Sequence, residues 1–167
     1  VASYLKREDP RDALVTRSGL KLADLPPNPR IATGSSRRRF QIAKLRPDAV
    51  FTPLRGNMDT RLAKLDRGDC DAIVVALAAF KRLGLEKRIT QVFSPDEVVP
   101  APGQGVIAVE TVASDLPVLR LARRLDHART RLCAEAERLF LAELGGGCAT
   151  PLGANAELTE EGMLFRV

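Results

Sequence analysis

The chain has 167 residues, of which 45% are hydrophobic and 28% charged, and it carries a formal net charge of +5 with a pI near 9.5. These values exclude a disordered chain, and the absence of any apolar run near the roughly 20 residues that span a bilayer excludes a membrane-spanning one. Three cysteines, an odd number without paired spacing, indicate a reducing compartment, and the single histidine argues against a zinc site.

The first residues, 1–8, are predicted to be a linker, because the charged stretch that follows contains the turn signal Asp9-Pro10. Leu14-Val15 predicts a short strand. Residues 22–25 predict a short helix that the prolines at positions 26, 27 and 29 bring to an end.

From Arg30 onward, the pattern predicts three strands that alternate with three helices. The strands are 30–33, 49–54 and 71–76, and the helices are 36–46, 57–67 and 77–83. Leu62 and Leu65 give the second helix an inward face. Right-handed crossovers between such strands build an open α/β layer, with ligands expected beyond the carboxyl ends of the strands.

A proline- and glycine-rich break at 100–105 ends this pattern. A strand at 106–110 and a helix at 116–125, capped by Asp115, come first. A helix at 127–143 follows, with an apolar stripe of Leu132, Ala136, Leu139 and Phe140, and then a hairpin from 152–158 and 163–167. The helix at 127–143 and this hairpin form a second unit, and because one helix and two strands bury little surface, we expect this unit to be incomplete.

The turn from Thr33 to Arg39 is the first candidate site. Ser35 or Ser36 can cap the following helix, whose free amides and positive dipole end favour an anion. Three arginines in the first turn of a helix are unfavourable unless something negative offsets them. For this turn alone, a solvated basic loop is an equally good interpretation.

Arginines follow two neighbouring strands of the predicted layer. Arg38 and Arg39 come after the first strand, and Arg55 and Arg61 after the second. Because the guanidinium fork pairs with carboxylates, four such residues favour a polycarboxylate site. Arg82, late in the third helix, is a weaker candidate, since cations there commonly serve as helix stabilisers.

Cys148 is the second candidate site, because it follows three glycines in an open loop. Basic surroundings would lower the pKa of its thiol, making it a nucleophile or a covalent attachment point. A tight turn that contains a cysteine is the other interpretation. Cys70 and Cys133 are predicted to be small buried hydrophobic residues.

Six blocks of sequence carry a resemblance to a known family. They are Arg-Glu-Asp-Pro-Arg-Asp (7–12), Gly-Ser-Ser-Arg-Arg-Arg (34–39), Leu-Arg-Gly-Asn-Met-Asp-Thr-Arg-Leu (54–62), Lys-Arg-Leu-Gly-Leu (81–85), Pro-Ala-Pro-Gly-Gln-Gly (100–105) and Gly-Gly-Cys-Ala-Thr-Pro-Leu-Gly (146–153). In this order the blocks resemble the porphobilinogen deaminase family, also called hydroxymethylbilane synthase, over essentially the whole chain.

The resemblance implies an α/β fold: a periplasmic-binding-protein-like three-layer domain, with a mixed or parallel sheet and flanking helices, followed by the start of a small α+β domain. Residues 1–8 would be a linker from a missing first domain, and 9–98 the second domain. Residues 99–125 would be a hinge, strand and helix returning towards the first domain, and 126–167 a partial C-terminal domain.

The resemblance also implies the chemistry. Cys148 would hold a dipyrromethane cofactor through a thioether, and four porphobilinogen units would be added to it in turn, each losing ammonia, to give hydroxymethylbilane. The acetate and propionate groups of cofactor, substrate and growing chain would be bound by Ser35, Ser36, Arg38, Arg39, Arg55, Arg61 and Arg82. Arg7 and Gln104 would lie at interdomain or pocket positions. The complete enzyme would be a monomer in the cytoplasm or plastid stroma, without nucleic-acid or membrane partners.

Two departures from the family pattern qualify these expectations. The family's catalytic aspartate belongs to a first domain that this chain lacks, and Asp9, Asp12, Asp48 and Asp71 do not occupy its motif. The isolated chain is therefore expected to bind polycarboxylates with little turnover. Arg37 replaces an apolar residue, and we expect its side chain to point to solvent.

Two other functions remain open. The chain could be a non-catalytic α/β module that senses an anionic ligand, in which case Cys148 would be dispensable. It could also bind nucleic acid through the basic turn, although no Trp, one Tyr and six Phe offer little surface for stacking bases.

Overall fold

The structure is a computed structural model that describes residues 1–146 and 150–167. The strands are β1 (Ser3–Tyr4), β2 (Asp12–Thr16), β3 (Arg30–Ala32), β4 (Val50–Thr52), β5 (Ala72–Ala76), β6 (Gln91–Val92), β7 (Ala108–Val109), β8 (Asn155–Leu158) and β9 (Met163–Arg166). The α-helices are α1 (Ser36–Leu45), α2 (Met58–Arg67), α3 (Leu77–Leu83), α4 (Leu116–Arg123) and α5 (Ala128–Glu143). Short 3-10 turns lie at Leu22–Asp24 and Glu86–Arg88.

The main sheet has the strand order β4-β3-β5-β2-β6. β3 is parallel to β4 and β5, whereas β2 is antiparallel to both β5 and β6. The register pairs Asp12 with Ala76, so the first residue of β2 lies at the edge where β3, β4 and β5 end. The predicted α/β layer is thereby confirmed as a mixed sheet.

Helices cover both faces of this sheet. Alternate residues of a strand point to opposite faces, so Val15 and Val75 pack with Leu65 and Phe80 on the face covered by α2 and α3. Leu14 and Val74 pack on the other face with Ile42 of α1. Each buried side chain of this size contributes about 1.5–3 kcal/mol to folding.

The helices of the layer begin and end close to the predicted positions. The Asn57 side chain accepts the Thr60 backbone N–H at 2.9 Å and caps α2, which has Leu62 and Leu65 buried as predicted. Gly68 and Gly84, with φ of 82° and 67°, adopt the left-handed conformation after α2 and α3, where glycine is favoured.

The second unit is built around α5. The hairpin β8–β9 is confirmed and packs on α5, whereas β1, which pairs with β7, is a strand that the sequence did not predict. The stripe of α5 is not its buried face: Leu132 and Leu139 are exposed, and Cys133, Ala134 and Glu137 are buried instead. Within residues 1–146 and 150–167, the helices are too short or too polar for any of them to cross a bilayer.

Candidate carboxylate-binding site

The turn between β3 and α1 presents backbone amides and cations at the sheet edge. The Ser35 hydroxyl caps α1 by accepting the Arg38 backbone N–H at 3.4 Å, and the Ser35 N–H donates to Thr33 Oγ1 at 3.1 Å. The first turn of α1 contains no acidic residue. The positive charge of the helix dipole and the charges of the three arginines therefore reinforce each other at this end of α1.

The turn between β4 and α2 packs directly against this first turn. A Cβ on Gly34 would lie 2.8 Å from the carbonyl oxygen of Leu54, so only glycine permits the approach. The parallel register of β3 and β4 explains the contact, because both strands end at the same sheet edge. The two turns form one surface.

A cavity of about 480 Å³ lies between the two turns. Ser35, Ser36, Arg39 and Arg55 line it together with Phe40. Both arginine residues are exposed, and the described residues that line the cavity include no carboxylate. Such a cavity favours anions, because its guanidinium groups carry charge that no lining residue offsets.

Arg38, in contrast, turns towards the base of the sheet. Its Nε donates to Asp12 Oδ1 at 3.0 Å, and its Nη1 donates to the Val74 carbonyl at 3.2 Å. The side chain is only 12% exposed. In this structure, Arg38 is therefore paired within the protein and does not line the cavity.

The expectation that Arg37 points to solvent is wrong. Its side chain is 4% exposed, with Nη2 2.7 Å from Asp12 Oδ2 and Nη1 donating to the Val99 carbonyl. Burial lowers the pKa of Arg37 from its ordinary value, and the nearby Asp12 carboxylate opposes that shift. Arg37 is buried because β2 begins directly beneath α1 and places a carboxylate there.

Gln104 completes a group that we call the Asp12 cluster: Asp12, Arg37, Arg38 and Gln104. Gln104 Nε2 donates to Asp12 Oδ1 at 2.9 Å and to the Pro10 carbonyl at 2.6 Å. Its Oε1 accepts from Arg37 Nη2 at 3.3 Å and from Arg38 Nη2 at 3.4 Å. The cluster joins β2, α1 and the 100–105 turn.

Arg61 and Arg82 each donate to a backbone carbonyl. Arg61 Nε donates to Gly56 O, and Arg82 Nη2 donates to Gly105 O, both at 2.8 Å. Neither residue lines the cavity between the two turns. A hydrogen bond to a neutral carbonyl is weaker than one to a carboxylate, so these side chains can exchange it for a ligand carboxylate.

Arg7 lies in a separate ion pair. Its two terminal nitrogens donate to Glu137 at 2.6 and 3.1 Å, and its Nε donates to the Gln104 carbonyl at 2.9 Å. Glu137 is fully buried and also accepts the backbone N–H groups of Gly103 and Ala156. Arg7 thus connects the first segment, the 100–105 turn and α5.

Sequence reasoning missed the roles of Asp12 and Glu137. An acidic residue that opens an apolar strand was a signal for Asp12, because a buried carboxylate needs a cationic partner. For Glu137 the signal was its position four residues after Cys133, which puts both on one face of α5.

Cys148 lies outside the described residues. Cys70 and Cys133 are buried as predicted, and burial raises the pKa of both thiols. A thiol that resists ionisation is a poor nucleophile. Neither residue is suited to covalent attachment of a ligand.

A second cavity, of about 590 Å³, lies between residues 7–11 and the α5–β8 region. The arginines lining it are Arg7, Arg11, Arg129 and Arg166. Arg7, Arg11 and Arg166 pair with carboxylates, and Arg129 donates to the Leu158 carbonyl. Because its charges are largely offset within the protein, this cavity is a poorer anion site.

A mixed sheet with helices on both faces and a cationic cavity at its strand ends defines an α/β domain with a candidate anion-binding site. Residues 1–120 match the family model described as the dipyromethane cofactor binding domain of porphobilinogen deaminase, and residues 131–165 match the model of its C-terminal domain. The chain belongs to the porphobilinogen deaminase family.

Curated relatives named porphobilinogen deaminase cover nearly the whole chain. Identity is 51% with that of Roseiflexus sp. (99% of this chain, 55% of the relative), 50% with that of Thermobifida fusca (98% and 52%), and 48% with that of Coxiella burnetii (93% and 50%). The chain therefore spans about half the length of the curated relatives it matches.

Solved structures give weaker likenesses. A Salmonella typhimurium periplasmic binding protein with high arginine specificity is 14% identical, with a TM-score of 0.45 over 84% of this chain and 63% of that chain. The substrate binding protein of an amino acid ABC transporter is 18% identical, with a TM-score of 0.39 over 85% of this chain and 58% of that chain. Neither likeness carries weight for the function.

Proposed function

We propose that this chain is part of a transferase that polymerises four porphobilinogen units into the linear tetrapyrrole hydroxymethylbilane, in porphyrin biosynthesis. The observation that carries the proposal is the cationic cavity between the β3–α1 and β4–α2 turns, in a chain of this family. Each pyrrole unit brings an acetate and a propionate group. A growing chain of such units needs many guanidinium partners, which the sheet edge supplies.

The proposed carboxylate ligands fall into two groups. Arg39 and Arg55 line the cavity with Ser35 and Ser36, so they can meet a ligand with little rearrangement. Arg38, Arg61 and Arg82 are engaged within the protein, and they would turn to a ligand as it grows. Arginine can make two parallel hydrogen bonds to a carboxylate, which fixes the orientation of the ligand as well as its position.

Cys148 is the proposed attachment point of the dipyrromethane cofactor, which, when bound, supplies the primer for chain growth. The cationic lining of the cavity suits the carboxylates of such a group. The burial of Cys70 and Cys133 leaves neither thiol as an alternative point of attachment. Residues 9–98 would be the second domain, and 126–167 part of the third. Residues 1–8 and 99–125 would connect to the first domain, which holds the catalytic aspartate in the family.

The complete enzyme is proposed to act as a monomer in the cytoplasm, or in the plastid stroma, without nucleic-acid partners. The family's catalytic aspartate is proposed to lie in the first domain, outside this sequence, so the chain alone should bind porphobilinogen with little turnover. Mass spectrometry of the complete polypeptide should find a dipyrromethane adduct on Cys148. An unmodified Cys148 in the complete polypeptide would contradict this attachment and favour a non-catalytic anion sensor, in which Cys148→Ser keeps all function.

Calorimetric titration of the chain with porphobilinogen tests the cavity directly. Arg39→Ala and Arg55→Ala should each weaken binding about tenfold or more, since a charge-assisted hydrogen bond contributes about 1.5–3 kcal/mol. Arg67→Ala is the matched control, because Arg67 is an exposed arginine paired with Asp69 outside the cavity lining. Equal affinities for all three variants would reject the cavity as the binding site.

A further inference from the structure

Asp12 is a fully buried carboxylate that two arginines share. Its Oδ1 lies 2.8 Å from Arg38 Nη2, and its Oδ2 lies 2.7 Å from Arg37 Nη2. The cluster therefore holds one negative and two positive side chains, with Gln104 neutral. One positive charge is left in excess at the edge of the sheet, beside the cavity between the two turns.

The two arginines are not equivalent. Arg37 is the more deeply buried, at 4% against 12% exposure, and it is also bonded to the Val99 carbonyl. Arg38 likewise donates to one backbone carbonyl, that of Val74 at 3.2 Å, and its Nε donates to Asp12 Oδ1 at 3.0 Å. Because its side chain is the more exposed of the two, Arg38 is the member of the pair that can turn towards a ligand.

Asp12 would keep partners if Arg38 left. Gln104 Nε2 would still donate to Oδ1 at 2.9 Å, and Arg37 would still face Oδ2 at 2.7 Å. Oδ2 has no hydrogen bond of good geometry in this structure, so it has unused capacity for Arg37. With a single arginine, the same movement would leave a buried charge unpaired, which is strongly unfavourable.

We infer that Arg37 is a positioning residue that frees Arg38 for a ligand carboxylate by keeping Asp12 paired when Arg38 turns away. The inference rests on the proposed function, in which Arg38 binds a carboxylate. The excess positive charge of the cluster favours the same step, because an incoming anion offsets it. Arg37 itself never contacts the ligand.

Citrate, a small tricarboxylate, is the probe for the test, titrated calorimetrically into the full chain. Arg37→Leu should weaken citrate binding about tenfold, because Arg38 then becomes the only cation paired with Asp12. Arg37→Lys keeps the charge but loses the planar fork, and should weaken it roughly threefold. Arg88→Leu removes the same charge from an exposed pair with Asp66, and should stay within about twofold of the unchanged chain.

A double variant separates positioning from a structural role. Asp12→Asn combined with Arg37→Leu removes the charge that retains Arg38, so citrate affinity should return to within about threefold of the unchanged chain. A purely structural role for Arg37 predicts that affinity stays low. Because these buried changes can impair folding, guanidinium NMR of the unchanged chain gives a second measurement: citrate should shift the Arg38 Nε–H signal more than that of Arg37.

The outcomes distinguish this inference from the proposed function. Unchanged citrate affinity in Arg37→Leu, with a loss in Arg38→Ala, overturns the positioning role alone. Unchanged affinity in Arg38→Ala, or an NMR shift at Arg37 and not at Arg38, also overturns it. Citrate binding without porphobilinogen binding overturns the proposed substrate and leaves the role of Arg37 intact. If the unchanged chain binds porphobilinogen but not citrate, the positioning role is rejected and the proposed function stands.

Discussion

Arg7 and Glu137 are 130 positions apart in the sequence and form a two-bond ion pair, at 2.6 and 3.1 Å, that joins the first segment to α5. Glu137 is fully buried, and Arg7 is 12% exposed. Two backbone N–H groups also donate to this carboxylate. The pair is therefore both a long-range contact and a fully satisfied buried charge.

Glu137→Ala should lower the free energy of unfolding by about 3–5 kcal/mol, because it leaves the Arg7 charge and two amides without their acceptor. Urea denaturation followed by circular dichroism measures the loss. Glu135→Ala removes an exposed carboxylate two residues earlier on α5, and should cost less than about 1 kcal/mol. Similar losses for the two variants would show that burial does not set the strength of the Arg7 pair.

Gly34→Ala should destabilise the chain and also weaken anion binding. The new Cβ would lie 2.8 Å from the Leu54 carbonyl oxygen, which would force the two turns apart at a cost of about 1–3 kcal/mol. Thermal unfolding and citrate titration would measure the two effects. Gly19→Ala is the control, because a Cβ added at Gly19 has no neighbouring atom within 4 Å. It measures the backbone cost of alanine at a φ of 77° and should leave citrate affinity unchanged.

Asp9 should contribute to acid sensitivity. The Arg11 guanidinium beside it is the main cause that lowers the pKa of Asp9 below its usual value. A carboxylate with a lowered pKa stabilises the fold above the unfolded-state pKa of about 3.9, and this stabilisation is lost as pH falls through the folded value. Asp9→Asn should therefore cost up to about 1 kcal/mol at pH 7, and the cost should shrink as pH falls through the folded pKa of Asp9.

Urea denaturation of the Asp9→Asn variant and the unchanged chain at a series of pH values tests whether the cost of the substitution decreases as pH falls. Arg11→Gln should show the same pH-dependent loss, because it removes the other member of the pair. A difference from the unchanged chain that stays constant between pH 7 and pH 2 would mean that ionisation of Asp9 is not the cause.

Cys70 and Cys133 should resist alkylation in the folded chain. Burial raises the pKa of both thiols, so the thiolate that reacts is scarce and also inaccessible. Iodoacetamide at pH 7 should modify them on the order of 100-fold more slowly than in the urea-unfolded chain. Peptide mapping gives the rate for each residue, and equal rates before and after unfolding would contradict their burial.

The α/β layer could be predicted because its signals are local. Each apolar strand between Arg30 and Ala76 is followed by a helical pattern, and Gly68 and Gly84 end two of the helices. The arginines after β3 and β4 follow from the same pattern, since parallel strands end at one edge. Of these, Arg39 and Arg55 line the cavity.

The burial of Arg37 could not be predicted, because its partner comes from another element. Arginine is normally exposed, and only the position of Asp12 at the start of β2 reverses that expectation. The buried face of α5 was missed for a related reason. Glu137 is drawn inward by Arg7 and two amides, while the more apolar Leu132 and Leu139 remain exposed.

The placement of β2 between β5 and β6 has a consequence for synthesis of the chain. Leu14 and Thr90, which are hydrogen-bonded across this part of the sheet, are 76 positions apart, so β2 leaves the ribosome long before its neighbours exist. At about 5–20 residues per second, the interval lasts roughly 4–15 seconds. During that time the apolar residues of β2 have no β6 to pair with, so this strand completes its hydrogen bonds late in synthesis.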